Sequence, residues 1–184
     1  MKKAFLFLSN GFEEVEAVTP IDYLRRAGID LITVGVQSKT IVSARKISIV
    51  CDMVMEEAAG LVKDSFMAIL PGGMPNAQTL ADSTAVKDFV SETLNNGGIV
   101  GAICASSALA LGSWGLLDGK KFTCYPGFDK DLTVKALSNR RVVRDGNIIT
   151  ACGAGAAEEF AFALIEAVSG KTALTNIQKE VIAR

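Results

Sequence analysis

The sequence predicts an α/β fold, a mostly parallel sheet with helices on both faces, and three observations predict it. Apolar runs of strand length, at residues 4–8, 66–70 and 99–104, alternate with longer stretches of helical periodicity. Those runs are continuously apolar, as strands covered on both faces are. Several pass into a helix through Gly or small residues, the usual junction at the carboxyl end of a parallel strand.

Each element follows in order. Residues 4–8 form a first strand that stops at Asn10-Gly11. A first helix leads from Glu13-Glu14 to Arg25-Arg26 and ends at Ala27-Gly28. Pro20 is expected to kink or divide it, because proline lacks a backbone donor and clashes with the preceding turn. Residues 30–36 give a second strand, and 47–51 suit a side strand or hairpin arm. A third central strand, 66–70, runs into Pro71-Gly72-Gly73. Residues 83–95 are helical, with Val86, Phe89, Val90, Thr93 and Leu94 on one face and Asn95-Asn96-Gly97-Gly98 as the stop. Strand 99–104 passes directly into a short helix of small residues at 105–111. Residues 141–144 and 147–150 flank Asp145-Gly146, a hairpin signal, and 156–168 and 171–184 read as two helices.

Composition narrows the function. With 184 residues, 49% hydrophobic and 21% charged, residues 1–184 read as a single domain that needs no disulfide or metal staple. Lys and Arg number 19 against 20 Asp and Glu, which leaves no basic field for a nucleic acid. The start, Met1-Lys2-Lys3 before a short apolar run, reads as a buried strand rather than a signal peptide. No window approaches the roughly 18 apolar residues of a membrane span, so a cytoplasmic location is expected. The chain has no histidine, which removes Ser-His-Asp and Cys-His catalysis and His-ligated metals. Cys51, Cys104, Cys124 and Cys152 show no C-x-x-C spacing, and neither a metal nor a cofactor is implied.

Ligands of open parallel sheets bind beyond the carboxyl ends of the strands. Three turns there carry unusual residues: Ser9-Asn10-Gly11, Leu70-Pro71-Gly72-Gly73 and Ile103-Cys104-Ala105-Ser106. Cys104 follows a strand without a spacer and precedes a helix, the arrangement of a nucleophile elbow. A helix N-terminus favours thiolate, so a partly exposed thiol of lowered pKa is expected. Gly72-Gly73 leaves backbone amides free to face a developing oxyanion. It lacks the spacing of a dinucleotide fingerprint. Glu13 and Glu14 suit the first turn of a helix through its dipole. Glu13 and Glu16 lie three apart, and whichever faces the sheet end can share a proton with a thiol.

On these residues the chain resembles the ThiJ/PfpI superfamily, in the branch of the parkinsonism-associated protein deglycase. The carrying segments are Gly11-Phe12-Glu13-Glu14-Val15-Glu16, Leu24-Arg25-Arg26-Ala27-Gly28, Leu70-Pro71-Gly72-Gly73, Ala102-Ile103-Cys104-Ala105, Tyr125-Pro126-Gly127 and Gly153-Ala154-Gly155. Together they cover essentially the whole chain. The resemblance implies a flavodoxin-like three-layer sandwich that forms a homodimer, Cys104 as reactive cysteine and Glu16 as the carboxyl on its sulfur. It further implies Gly72, Gly73 and the Ala105 amide as oxyanion donors, and Arg45 near the partner subunit's pocket. Tyr125, Cys124 and Gly155 are pocket candidates. The resemblance implies that Tyr125 stands where many relatives carry histidine, so a histidine-assisted mechanism is not expected and the absence argues against peptidase activity. Gly153-Ala154-Gly155 replaces Gly-Pro-Gly, and Ser106-Ser107 replaces a Gly-Pro or Ala-Pro pair.

The leading functional expectation is cysteine-dependent chemistry on small reactive aldehydes or their glycation adducts, as a glyoxalase III type enzyme or a deglycase. The alternative is a redox sensor whose Cys104 is oxidised to sulfinate. A non-catalytic binding module is the third. Cys51, Cys124 and Cys152 are expected to be core or pocket-wall residues.

Overall fold

The computed structural model describes residues 2–183; Met1 and Arg184, assigned above to the chain start and the last helix, lie outside them. A seven-stranded sheet has the order β5-β2-β1-β6-β7-β9-β8. Its strands are β1 (Lys3–Leu8), β2 (Leu31–Gly35), β5 (Met53–Val54), β6 (Ser65–Leu70), β7 (Ile99–Ile103), β8 (Val142–Asp145) and β9 (Ile148–Ala151). All pair in parallel except β8 with β9. A separate antiparallel hairpin joins β3 (Thr40–Val42) to β4 (Ser48–Val50). The expected side strand at 47–51 is the second arm of that hairpin.

Side-chain alternation divides the apolar residues of β1 between two layers. Ala4, Leu6 and Leu8 pack under α1 (Glu14–Arg26) and α5 (Ala157–Glu180). Phe5 and Phe7 face the opposite layer, where both rings meet Phe89 edge-on, with centroids 4.9 and 5.1 Å apart. That layer holds α2 (Met55–Ala59), α3 (Asn76–Asp82) and α4 (Thr84–Asn95). This is the flavodoxin-like three-layer α/β sandwich. Among the described residues no helix is long and apolar enough to cross a membrane.

Three local expectations are revised. Pro20 neither divides nor ends α1, which runs unbroken over 13 residues. Pro20 and Leu24 are both buried, so packing on the sheet outweighs the one backbone bond that proline removes. The short helix after Cys104 widens into a π-type turn at Ser107–Gly112. In the β8–β9 hairpin Asp145 pairs with Ile148, so Gly146-Asn147 form the turn and Asp145 is the last strand residue. The two expected C-terminal helices are present within α5, separated at Gly170, whose φ of 77° only glycine adopts without cost.

The chain steps from β1 outward to β2, then crosses back to β6 on the other side of β1. The strand order reverses there, and the crevice beyond the carboxyl ends of β1 and β6 borders the end of β7. The three unusual turns of the sequence meet at this point.

Candidate active site

Cys104 is the first residue beyond β7 and has φ of 62°, the left-handed region that costs a non-glycine residue about 1–2 kcal/mol. Two long-range backbone bonds hold it there. Its N–H donates to Ala151 O at 2.9 Å, and its carbonyl accepts from Tyr125 N–H at 3.2 Å. The elbow therefore exists because β9 and the segment after Phe122 grip both sides of one residue.

Glu16 lies in the first turn of α1 and is fully buried. Glu13 caps that helix by accepting the Glu16 N–H at 2.9 Å, which turns the Glu16 side chain toward the sheet end. Glu16 Oε2 accepts the Gly72 N–H at 2.9 Å, and the neighbouring Ala154 amide and Cys104 thiol also favour the charged carboxylate. Burial pushes this carboxyl up to about 7, aided by the charge of Glu13 and opposed by its hydrogen bonds. Glu14 serves structure instead, accepting from the Ser43 hydroxyl and, at 2.6 Å, from the Arg45 N–H.

The Cys104 thiol is not lowered, as the helix-terminus argument expects. Burial and the negative charge of Glu16 push it up to about 12, against the stabilising amides of Ala105 and Gly73. The second of those causes vanishes when Glu16 holds a proton. The two groups therefore titrate as a coupled pair, in which a proton on Glu16 removes one of the obstacles to a thiolate at Cys104.

Gly72 fits only as glycine. A Cβ there would lie 2.5 Å from Glu16 Oε2 and 2.6 Å from Cys104 Cβ. Its amide was expected to face an oxyanion, but it is engaged by Glu16. The donors on the sulfur are Gly73 and Ala105.

Cys104, Glu16, Gly72, Gly73 and Ala105 thus meet, while the remaining candidates stand aside. Tyr125, Cys124 and Gly155 line a neighbouring cavity of about 670 Å³ with Cys152, Arg140 and Arg141. It adjoins the pair through Tyr125, whose N–H bonds the Cys104 carbonyl, through Ala154, and through Gly153, whose added Cβ would sit 3.3 Å from the Tyr125 ring and 3.9 Å from Glu16 Oε1. Cys124 packs in the layer of Phe5 and Phe7, whereas Cys104 packs with Ile103 and Ala151 in the other. Exposed Arg45 borders a separate hollow with Asn10, Gly11, Met74 and Pro75. Among the described residues no group of three His, Cys, Asp or Glu side chains could hold a metal ion.

Sequence reasoning missed Ala154, Asn76 and Ser106. Asn76 and Ser106 are fully buried polar residues bonded to the Pro71-Gly72 turn. An Asn three residues after a Pro-Gly-Gly turn carries no signal in the sequence that distinguishes it from a helix cap.

Comparison with known proteins places this geometry. Residues 2–167 match the model of the DJ-1/PfpI family. Protein DJ-1 homolog B of Arabidopsis thaliana is 37% identical over 185 residues, covering 100% of this chain, which spans only 42% of that relative's length. Glutathione-independent glyoxalase DJR-1.2 of Caenorhabditis elegans is 28% identical over 170 residues, covering 91% of this chain and 88% of that one. The solved structure of oxidized Toxoplasma gondii DJ-1 superposes with a TM-score of 0.93 at 30% identity, covering 99% of this chain and 98% of that one.

Proposed function

The chain belongs to the DJ-1/PfpI family, and from that premise we propose that it is a cysteine-dependent enzyme acting on small reactive aldehydes or their adducts, with Cys104 as nucleophile and Glu16 as acid–base group. The observation that carries the reading is the convergence of a buried carboxyl and two backbone amides on one sulfur at a left-handed elbow. The similarity to a C. elegans protein named as a glutathione-independent glyoxalase supports the substrate class.

For methylglyoxal the steps balance as follows. Glu16 takes the thiol proton, the thiolate adds to the aldehyde carbon, and Glu16 returns that proton to the aldehyde oxygen, giving a hemithioacetal and a free carboxylate. The Glu16 carboxylate removes the hydrogen from that carbon and delivers it to the adjacent ketone carbon through an enediol, while the proton of the first carbon's hydroxyl passes to the former ketone oxygen. The product is a lactoyl thioester on Cys104. The Gly73 and Ala105 amides stabilise the charge on sulfur during addition and release. Water hydrolyses the thioester, yielding lactate and regenerating the thiol. Every proton transfer falls to Glu16, since no histidine is present.

Alkylation of Cys104 followed against pH, with lactate formation measured on the same samples, tests the reading. Turnover that tracks thiolate formation and changes with Glu16→Gln supports it; turnover undiminished in Cys104→Ser refutes it. A second reading is supported by the same donors, which would hold a sulfinate on Cys104, and by the likeness to an oxidized relative. Selective addition of two oxygens at Cys104 under mild peroxide, without turnover, would favour it. A homodimer belongs to the proposal as well. Val15 and Val18 on α1 and Ile47 and Val50 by the β3–β4 hairpin are exposed apolar residues. Sedimentation showing a monomer at micromolar concentration would remove that part.

A further inference from the structure

Asn76 is fully buried, and all its polar atoms are engaged. Its Oδ1 accepts the Ser9 N–H at 2.7 Å, anchoring it to the end of β1. Its Nδ2 donates to Pro71 O at 2.8 Å and to Gly72 O at 3.0 Å. Ser106, also fully buried and two residues after the nucleophile, donates its hydroxyl to the same Pro71 O at 2.6 Å. The Gly72 carbonyl takes a further bond from Glu13 N–H at 3.1 Å.

These carbonyls belong to the two peptide units that serve the site. A trans peptide is planar, and its C=O and N–H point in opposite directions. Holding Pro71 O therefore aims the Gly72 N–H, which bonds Glu16 Oε2 at 2.9 Å. Holding Gly72 O likewise aims the Gly73 N–H, an amide that favours negative charge on the Cys104 sulfur. Gly72 has no Cβ, so its neighbouring planes turn freely unless something outside the turn fixes them.

We propose that Asn76 is a positioning residue for the Cys104–Glu16 pair: one carboxamide fixes both peptide planes whose amides serve that pair, and Ser106 couples the first of them to the elbow. The inference rests on the preceding reading of the pair and goes beyond it in assigning what orients its donors. Asn76 touches no substrate. It acts by keeping two N–H groups aimed at Glu16 and Cys104.

The test measures lactate formation, heat stability and the pH profile of Cys104 alkylation for the full chain carrying Asn76→Ala, Ser106→Ala or Glu16→Gln. The titratable groups facing the turn are Glu13 and Glu16 of α1 and Cys104 after β7. Asn76→Ala is expected to lower kcat by about tenfold or more, since misaimed groups cost up to about a hundredfold, while KM changes by less than about twofold. Its alkylation profile moves to higher pH, because the Cys104 thiolate loses the Gly73 amide that favours it. Ser106→Ala moves the same two readouts in the same direction by about threefold, and it decides the matter if Asn76→Ala does not fold. Lowered heat stability with kcat and the alkylation profile unchanged would mean a structural role only and overturn the proposal. If Glu16→Gln leaves the profile unchanged, the pair itself is refuted and the positioning role falls with it. If Glu16→Gln shifts the profile and neither other variant does, only the positioning role is lost.

Discussion

Cys104 and Cys124 sit on segments that adjoin one another, since the residue after Cys124 donates its N–H to the carbonyl of Cys104. Burial raises both thiols, to about 12 and about 11. Their surroundings differ in kind. Cys104 has a carboxyl that can hold its proton and two amides that can hold its charge. Cys124 donates to the Tyr125 carbonyl at 3.3 Å, which stabilises the neutral thiol, and the Asp129 carboxylate beside it acts only through its charge, raising the thiol further against the Asp129 amide. A buried thiol is made usable by a partner that takes its proton, and burial by itself leaves it inert.

The comparison breaks or sharpens most at the sulfur itself. Cys104→Ser is expected to lower turnover of methylglyoxal by about a thousandfold or more, as loss of a nucleophile does, with lactate formation as the readout. Next, Glu16→Gln should cost about 10²–10⁴-fold, the range for a lost acid–base group, with the fold retained by circular dichroism.

The third effect is one of stability. The Glu16 carboxyl rises from an ordinary 4.5 to about 7 on folding, so between those values the folded chain binds the proton that the unfolded chain releases. Its contribution is fully present below about pH 4.5 and is lost as pH rises through about 7, a fall of about 3 kcal/mol. Denaturant unfolding of wild type against Glu16→Gln from pH 4 to 8 isolates that term as the change in their difference; a constant difference would refute the raised carboxyl.

A glycine pair supplies the fourth prediction. Gly72→Ala forces a methyl against Glu16 and Cys104 and should cost about 1–3 kcal/mol, measured by urea unfolding. Gly155→Ala, in the cavity beside Cys124 with nothing within 4 Å of its added Cβ, should change stability by less than about 0.5 kcal/mol. The smallest effect is Cys124→Ser, expected to leave kcat within about twofold; a loss as large as that of Cys104→Ser would erase the distinction between the two thiols.

The elbow was legible because its parts are covalent neighbours: an apolar strand, a cysteine and small residues in one unbroken run. Glu16 was legible only as one of two carboxylates three residues apart, and the cap at Glu13 decided between them. The role given to Gly72 changed because its amide could face either a ligand or a side chain 56 residues away, and only the packing of α1 chose.

The sequence by itself determined the layered fold, since apolar runs and helical periodicity report which residues must leave water whatever their partners. It also determined which chemistries are absent, since no arrangement of the chain supplies an imidazole. The tertiary structure alone decided where protons reside. Those answers depend on Asn76 reaching Ser9 across 67 residues, on Ala154 meeting Glu16, and on the burial of a carboxyl beside a thiol. Hydrogen-bond direction and desolvation are properties of atoms brought together in space, and residue order specifies them only through the completed fold.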